Sequence, residues 1–244
     1  MTDDNRTAAE RRIMETELFF PKLADEAALR EFLNGPAPDR PIGISFGGDQ
    51  WGLEACRLLA AARPEFEFHN ISFRGTGIGW EGLTALVESP VFASVRSLAA
   101  EQSGVANAGV AALAASSYVG NLKKLYLCNR TGVMTGSRNR IDDSTGLYLS
   151  TAPYLAALEE LDLWNTDVGD EGLLSLFSPP GLPRLSTVTA WETRLTADGA
   201  ERVKAAARQR WEETHAATGL IVWCAVHTDY DPRSANPWSE EGWE

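Results

Sequence analysis

One spacing constrains this chain more than any other feature. Leu158, Leu161 and Leu163 are followed 27 positions later by Leu185, Val188 and Ala190, and preceded 36 positions earlier by Leu122, Leu125 and Leu127. Further steps of 27 lead back through Val95, Leu98 and Ala100, then Phe68, Ile71 and Phe73, to Pro41, Ile44 and Phe46. With Leu158 as position 1, these are positions 1, 4 and 6 of six units, and Pro41 is the one proline in an otherwise apolar set. Position 11 adds Trp51, Ile78, Val105, Ile141, Val168 and Leu195. A two-residue step between apolar neighbours is the period of a strand. A unit this short cannot bury its apolar side alone, so neighbouring units must stack.

The second half of each unit reads as a helix. Position 15 is Gly82, Gly109, Gly172 and Gly199, with Ala55 in the first unit and Gly146 displaced by one in the fourth. Glycine in a first helical turn costs up to ~1 kcal/mol against alanine, so its return predicts a close approach, expected here to the sheet edge. Asn107, Asp143 and Asp170 stand where a side chain caps exposed helix N–H groups. Leu83 and Leu86, Val110 and Leu113, and Leu173 and Leu176 supply the buried face.

The clearest copy, Thr166-Asp167-Val168-Gly169-Asp170-Glu171-Gly172-Leu173, resembles the turn of the ribonuclease-inhibitor-like and cysteine-containing-like leucine-rich repeats, and Thr76 and Thr193 hold the place of Thr166. This chain lacks a cysteine column, and Pro41 and Ala100 interrupt the ladder. The resemblance implies an α/β fold: a curved leucine-rich-repeat solenoid, or horseshoe, with an inner parallel sheet and outer helices. It also implies a protein-binding scaffold, because this architecture carries many unrelated functions. Small acidic stand-alone members look like inhibitors or immunity-type proteins that occlude a target; an adaptor that recruits is the alternative.

The ends depart from the period. Residues 1–40 are expected to form a disordered stub and a helical cap, with helix from Ala9 to Phe20 broken at Pro21 and a second amphipathic stretch to Leu33. Residues 41–228 form the solenoid of about six repeats plus a closing strand, Leu220–Val226, with Leu220 and Val222 in the ladder and Trp223 on the open face. Residues 229–244 form an acidic tail carrying Trp238 and Trp243, expected to fold back over the end. The step of 36 rather than 27 is a net insertion of nine residues between Leu127 and Ile141. It is expected to project as a rim loop, and shortening Thr131–Asn139 to the common period is expected to leave the fold intact.

Side chains alternate across a strand, so positions 3, 5 and 7 face away from the core. Position 5 reads Ser45, Ser72, Ala99, Tyr126, Asp162, Thr189; position 7 reads Gly47, Arg74, Glu101, Cys128, Trp164, Trp191. Tyr126, Asp162, Trp164 and Trp191, flanked by Arg74 and Glu101 and by Asn165 and Glu192 at position 8, form the candidate partner-binding stripe. Tryptophan and tyrosine offer large rigid contact area with a polar handle. The competing reading stacks these rings on each other as cross-strand packing. Arg130, Arg138 and Arg140 in the insertion are candidate contacts on the rim.

A formal charge of −12 opposes nucleic-acid binding and favours a basic protein partner. The three cysteines, Cys56, Cys128 and Cys224, are far apart and unpatterned, as expected of reduced thiols in a cytoplasmic protein. No apolar run is long enough to span a membrane. Cys128 and His69 fall two strands and five positions apart, about 10 Å sideways and about 16 Å lengthwise, far beyond hydrogen-bond reach. Metal-ligand spacing is absent, and Gly47-Gly48 lacks the lysine of a phosphate loop. The expectation is therefore a non-enzymatic module without catalytic residues, metal or cofactor; an anion-binding or hydrolytic site on the rim is the alternative from another class. Nothing in the sequence indicates the oligomeric state.

Overall fold

In the computed structural model, residues 18–129, 136–179, 181–218 and 225–227 are described. The chain is α/β. After α1 (Glu26–Asn34), strand and helix alternate: β1 (Ile42–Gly47), α2 (Leu53–Ala60), β2 (Phe68–Arg74), α3 (Gly79–Val87), β3 (Ser97–Glu101), α4 (Asn107–Ala115) and β4 (Lys124–Tyr126). Then follow α5 (Asp143–Ser150), β5 (Glu160–Asp162), α6 (Asp170–Phe177), β6 (Thr187–Thr189), α7 (Ala197–Thr218) and β7 (Ala225–His227). A 3-10 turn, Pro90–Ser94, leads into β3.

The strands form one parallel sheet in chain order, β1 to β7. Ile44, Ile71, Leu98, Leu125, Leu161, Val188 and Val226 lie abreast, so the spacing of 27 and the step of 36 both correspond to moving one strand over. Positions 4 and 6 of all six units are at most 2% exposed, and they form the core with the inner helix residues such as Leu83, Leu86, Leu113, Leu173 and Leu176. The parallel ladder outlasts the short later strands: Leu127 donates to Asp162 O, Asn129 to Trp164 O and Asn165 to Trp191 O.

Two further columns make the turn from strand to helix. Position 8 takes the left-handed conformation in five of the six units: Gly48, Gly75, Gln102, Asn165 and Glu192 have φ of 92°, 61°, 48°, 54° and 52°, Asn129 in the fourth being the exception. Position 9 is a buried polar column of Thr76, Ser103, Asn139 and Thr166. These side chains take up carbonyls left over at position 6: Ser103 Oγ donates to Phe73 O at 3.2 Å, Thr166 Oγ1 to Leu163 O at 2.6 Å, and Thr193 Oγ1 to Ala190 O at 2.9 Å. Buried backbone polar groups need such partners.

The glycine column serves helix-on-helix contact rather than approach to the sheet. A Cβ on Gly109 would lie 3.2 Å from Trp80 Cα, one on Gly172 2.7 Å from Asp143 Cα, and one on Gly199 2.0 Å from Asp170 Oδ1. Asn107, Asp143 and Asp170, expected as caps, open their helices instead, after Ala106, Asp142 and Gly169, and their side chains bond into the next unit. Asn107 Oδ1 accepts from Asp142 N at 3.2 Å, Asp143 Oδ1 from Gly169 N at 2.5 Å, and Asp170 Oδ1 from Thr196 N at 2.8 Å. Each ties the start of one helix to the turn entering the next.

Three expectations are corrected. Phe19 is extended rather than helical: it bridges Ile42 in parallel, donating to Pro41 O at 2.8 Å and accepting from Gly43 N at 2.9 Å. The backbone hydrogen bonds of the β1 edge outweigh the helical pattern there, and the helix expected over 9–17 falls outside the described residues. The described closing strand is Ala225–His227, in which Val226 pairs with Val188 at position 4 of the ladder, while Leu220 and Val222, expected there, lie outside the described residues. Trp223, Trp238 and Trp243 lie outside the described residues. The insertion, finally, is anchored. Asn139 is 0% exposed; its Oδ1 accepts from Ser103 N and Val105 N at 3.0 Å, and its Nδ2 donates to Ala100 O at 2.6 Å and Leu127 O at 2.9 Å. Removing 131–139 would strip four buried backbone groups of their partner, so that shortening is not neutral. Gly136 lies back over the earlier units and donates to Asp49 Oδ1 at 2.9 Å.

No helix among the described residues is long and apolar enough to cross a membrane.

Candidate interaction face

Alternation along the strands leaves one face of the sheet open. Ser45, Gly47 and Arg74 on it are exposed, and Ser72, Ala99, Glu101, Tyr126, Thr189, Trp164 and Trp191 are partly so. Residues of position 5 stand in one row, from Ser45 through Ser72, Ala99, Tyr126 and Asp162 to Thr189 and His227.

Trp164 and Trp191, on neighbouring units, meet edge to face, with centroids 6.3 Å apart and an interplanar angle of 82°. This is the favoured arrangement of two ring quadrupoles. The cross-strand packing weighed from the sequence is therefore present, and both rings remain half-buried rather than covered. Trp191 O also accepts from Asn165 N, so the pair sits on the extended ladder.

The polar candidates divide by what they bond. Asp162 is 6% exposed and its Oδ1 accepts from Trp164 N at 2.9 Å. It shapes the backbone under Trp164 instead of presenting a carboxylate outward, a departure from the expected exposed acid. Asn165 holds its left-handed turn and exchanges bonds with Asn129: Asn165 Nδ2 donates to Asn129 O, and Asn129 Nδ2 to Asn165 O, each at 2.9 Å. Asn tolerates this conformation better than most residues. Glu192 holds the same turn with an exposed side chain. Cys128, on the same row as the tryptophans, is buried.

Arg74 pairs with Glu101 across β2 and β3 at 3.7 Å. Tyr126 Oη donates to Glu160 Oε1 at 2.8 Å, and Lys124 Nζ meets Glu160 Oε2 at 2.8 Å. Lys124 and Glu160 are residues that sequence reasoning passed over. They occupy position 3, which alternation places on the same open face, and opposite charges at equal positions of adjacent units were the available signal. Arg138 is exposed and donates from its guanidinium to Asn165 O at 2.8 Å, which brings the insertion beside the tryptophan stripe. Arg140 is exposed at the bridge to Ala106, and Arg130 lies outside the described residues.

Titratable groups with displaced pKa values lie away from this face. Burial lowers that of His69, with Arg96 adding to the effect and Glu67 opposing it. Burial pushes the Cys56 thiol well above its ordinary value. His69 stands at the start of β2, at position 2, and Cys128 follows β4 at position 7, so the two share no site. Among the described residues no group of three His, Cys, Asp or Glu side chains is placed to hold a metal ion.

What the face offers is a rigid aromatic pair, framed by hydrogen-bonded polar residues and exposed arginines on a backbone pinned by the sheet. No protein-family model and no curated protein matches the chain.

Proposed function

We propose that the chain is a leucine-rich-repeat solenoid, with its sheet lining the inner face, that binds another protein and performs no chemistry of its own. The observation that carries this reading is the half-buried, edge-to-face pair Trp164–Trp191 on the open face of the sheet. Rigid aromatic surface held by a scaffold loses little entropy on binding. Arg138, bonded to Asn165 O at 2.8 Å, stands beside it as an adaptable polar contact, while the overall charge of −12 attracts a basic protein at long range. Occlusion of a target, as an inhibitor or immunity-type protein in the cytoplasm, fits a small chain with one such face. An adaptor role needs a second surface.

The test is a comparison of baits in native lysate. Wild type and the double variant Trp164→Ala/Trp191→Ala are immobilised in parallel, with thermal unfolding followed for both. A stoichiometric partner retained by wild type and lost by a folded double variant supports the reading. Equal retention by both, with the double variant folded at the temperature of capture, overturns the assignment of the stripe as the binding surface.

A further inference from the structure

The helices turn one row of side chains outward, at spacings of three and four residues, and four of the six rows that follow β1 to β6 carry charge. On α2 the row includes Glu54 and Arg57, on α3 Glu81 with Glu88 just past its end, on α6 Glu171, and on α7 Asp198, Glu201 and Arg202. The two central helices break this rule. The row of α4 is Ala108, Ala111, Ala112 and Ala115; that of α5 is Ser144, Leu147, Tyr148 and Thr151, the last lying just past its end. In a chain with 23% charged residues, two adjacent uncharged rows mark a patch.

The patch has relief. Trp80, 44% exposed, stands at the start of α3, and α4 packs close beneath it, a Cβ on Gly109 falling 3.2 Å from Trp80 Cα. On the other side Leu147 and Tyr148 are 54% and 39% exposed. The alanines between them are short, so α4 forms the floor of a trough with Trp80 and Leu147–Tyr148 as walls. With Tyr154, 50% exposed in the turn after α5, half-exposed large side chains of ~200 Å² each amount to apolar surface on the order of 400 Å². A stable pair of chains needs about 800 Å² from each partner, which disfavours a second copy. Along the α3 side of the trough stand two exposed carboxylates, Glu81 and, just past the helix end, Glu88, whereas Glu171 on α6 is paired with Arg202 at 3.1 Å and Asp142 caps α5 through Ser144 N. A second copy would set acid against acid.

We propose that this trough is a docking site for a cationic amphipathic helix of another protein, whose apolar ridge seats on Ala108, Ala112 and Leu147 and whose lysines or arginines meet Glu81 and Glu88. Helix-in-groove recognition reads residues at spacings of three and four, matching the helical rows that build the trough. The site lies on the outer layer of helices, independent of the open sheet face, and supplies the second surface that an adaptor requires.

The probe is a fluorescein-labelled 18-residue leucine/lysine amphipathic peptide, followed by anisotropy against the intact chain, with a leucine/glutamate peptide of the same pattern as control. Binding of the lysine peptide alone is expected, weakened at least tenfold by Ala112→Gln with Leu147→Gln and unchanged by Trp164→Ala with Trp191→Ala. Both substitutions are uncharged, Leu147 being exposed and Ala112 partly buried, and circular dichroism establishes that the variant folds. Four outcomes overturn the proposal: no binding; binding indifferent to the trough variant, which is charge attraction alone; sedimentation showing a dimer that depends on Leu147; or adsorption to phosphatidylcholine vesicles in place of peptide binding. Loss of binding in the tryptophan variant alone would move the peptide site to the sheet face.

Discussion

Asn139 and Asn129 clasp the base of the insertion: Asn139 N donates to Asn129 Oδ1 at 2.7 Å, and Asn129 Nδ2 returns a bond to Asn139 O at 3.1 Å. The extra residues therefore leave and rejoin the regular backbone at one closed point. Asn139 then stands where other units place threonine or serine, but its longer amide serves two units at once, reaching Ala100 O and Leu127 O together. The unit with the longest excursion carries the most extensive side-chain bonding of the turn.

That arrangement makes the fold sensitive to the loss of Asn139. Replacement by alanine leaves Ser103 N, Val105 N, Ala100 O and Leu127 O buried without their partner. An unsatisfied buried group costs about 1–3 kcal/mol, so a loss of at least ~3 kcal/mol is expected in urea denaturation. A loss below ~1 kcal/mol would show that water replaces the amide.

Gly172→Ala should destabilise the chain although alanine is the better helix former by ~1 kcal/mol. Its Cβ would sit 2.6 Å from Asp143 Oδ1 and 2.7 Å from Asp143 Cα, and the backbone atom cannot step aside cheaply. At Gly77 a Cβ meets nothing within 4 Å, and its φ is not in the left-handed range. Gly77→Ala is therefore expected to be neutral or to stabilise by up to ~1 kcal/mol through the unfolded chain. Melting temperatures of the two variants should fall on opposite sides, or at least far apart.

The caps between units predict an acid limb to stability. Hydrogen bonds from Thr196, backbone first and hydroxyl second, lower the pKa of Asp170, and the Ser144 N–H lowers that of Asp142. A carboxyl held below its unfolded value contributes stability that is complete above pH ~4 and is lost as pH falls through the folded value. Asp170→Asn keeps an acceptor and should flatten this limb while changing neutral stability little. Asp170→Ala should cost ~1 kcal/mol at neutral pH as well. Unfolding midpoints between pH 2 and 7 would separate the two, and an unaltered acid limb in Asp170→Asn would remove Asp170 as its source.

The ring pair can be apportioned by a double-mutant cycle. Trp164→Ala and Trp191→Ala together should show a coupling of about 0.5–1.5 kcal/mol, measured by chemical denaturation. A coupling near zero would mean that each ring packs on the sheet independently of the other.

Which residues face the core was legible in the sequence, because strand alternation and helical spacing are local periodicities that burial by apolar type makes visible. The ladder of positions 4 and 6 follows directly, and so does the row of open-face residues from Ser45 to Thr189. Position 9 was half legible: Thr76, Thr166 and Thr193 aligned, while Asn139 did not, since the insertion hid its register and its residue type differed. Glu192 and Asn165 looked like contacts at a rim because nothing in a sequence marks a left-handed backbone when glycine is not used.

By itself the sequence determined the period, the order of strand and helix, and the face each apolar residue takes. These depend only on each residue's place within its own unit. The tertiary structure alone decided what the glycines approach, which turn each aspartate bonds, that Asp162 is buried against the Trp164 N–H, and that the uncharged outer rows of α4 and α5 lie side by side. Each of those depends on atoms from a neighbouring unit, such as Asp170 and Thr196 or Asn129 and Asn165, 26 and 36 residues apart. A hydrogen bond or a close contact is set by tenths of an ångström between units, and no periodicity within one unit carries that information.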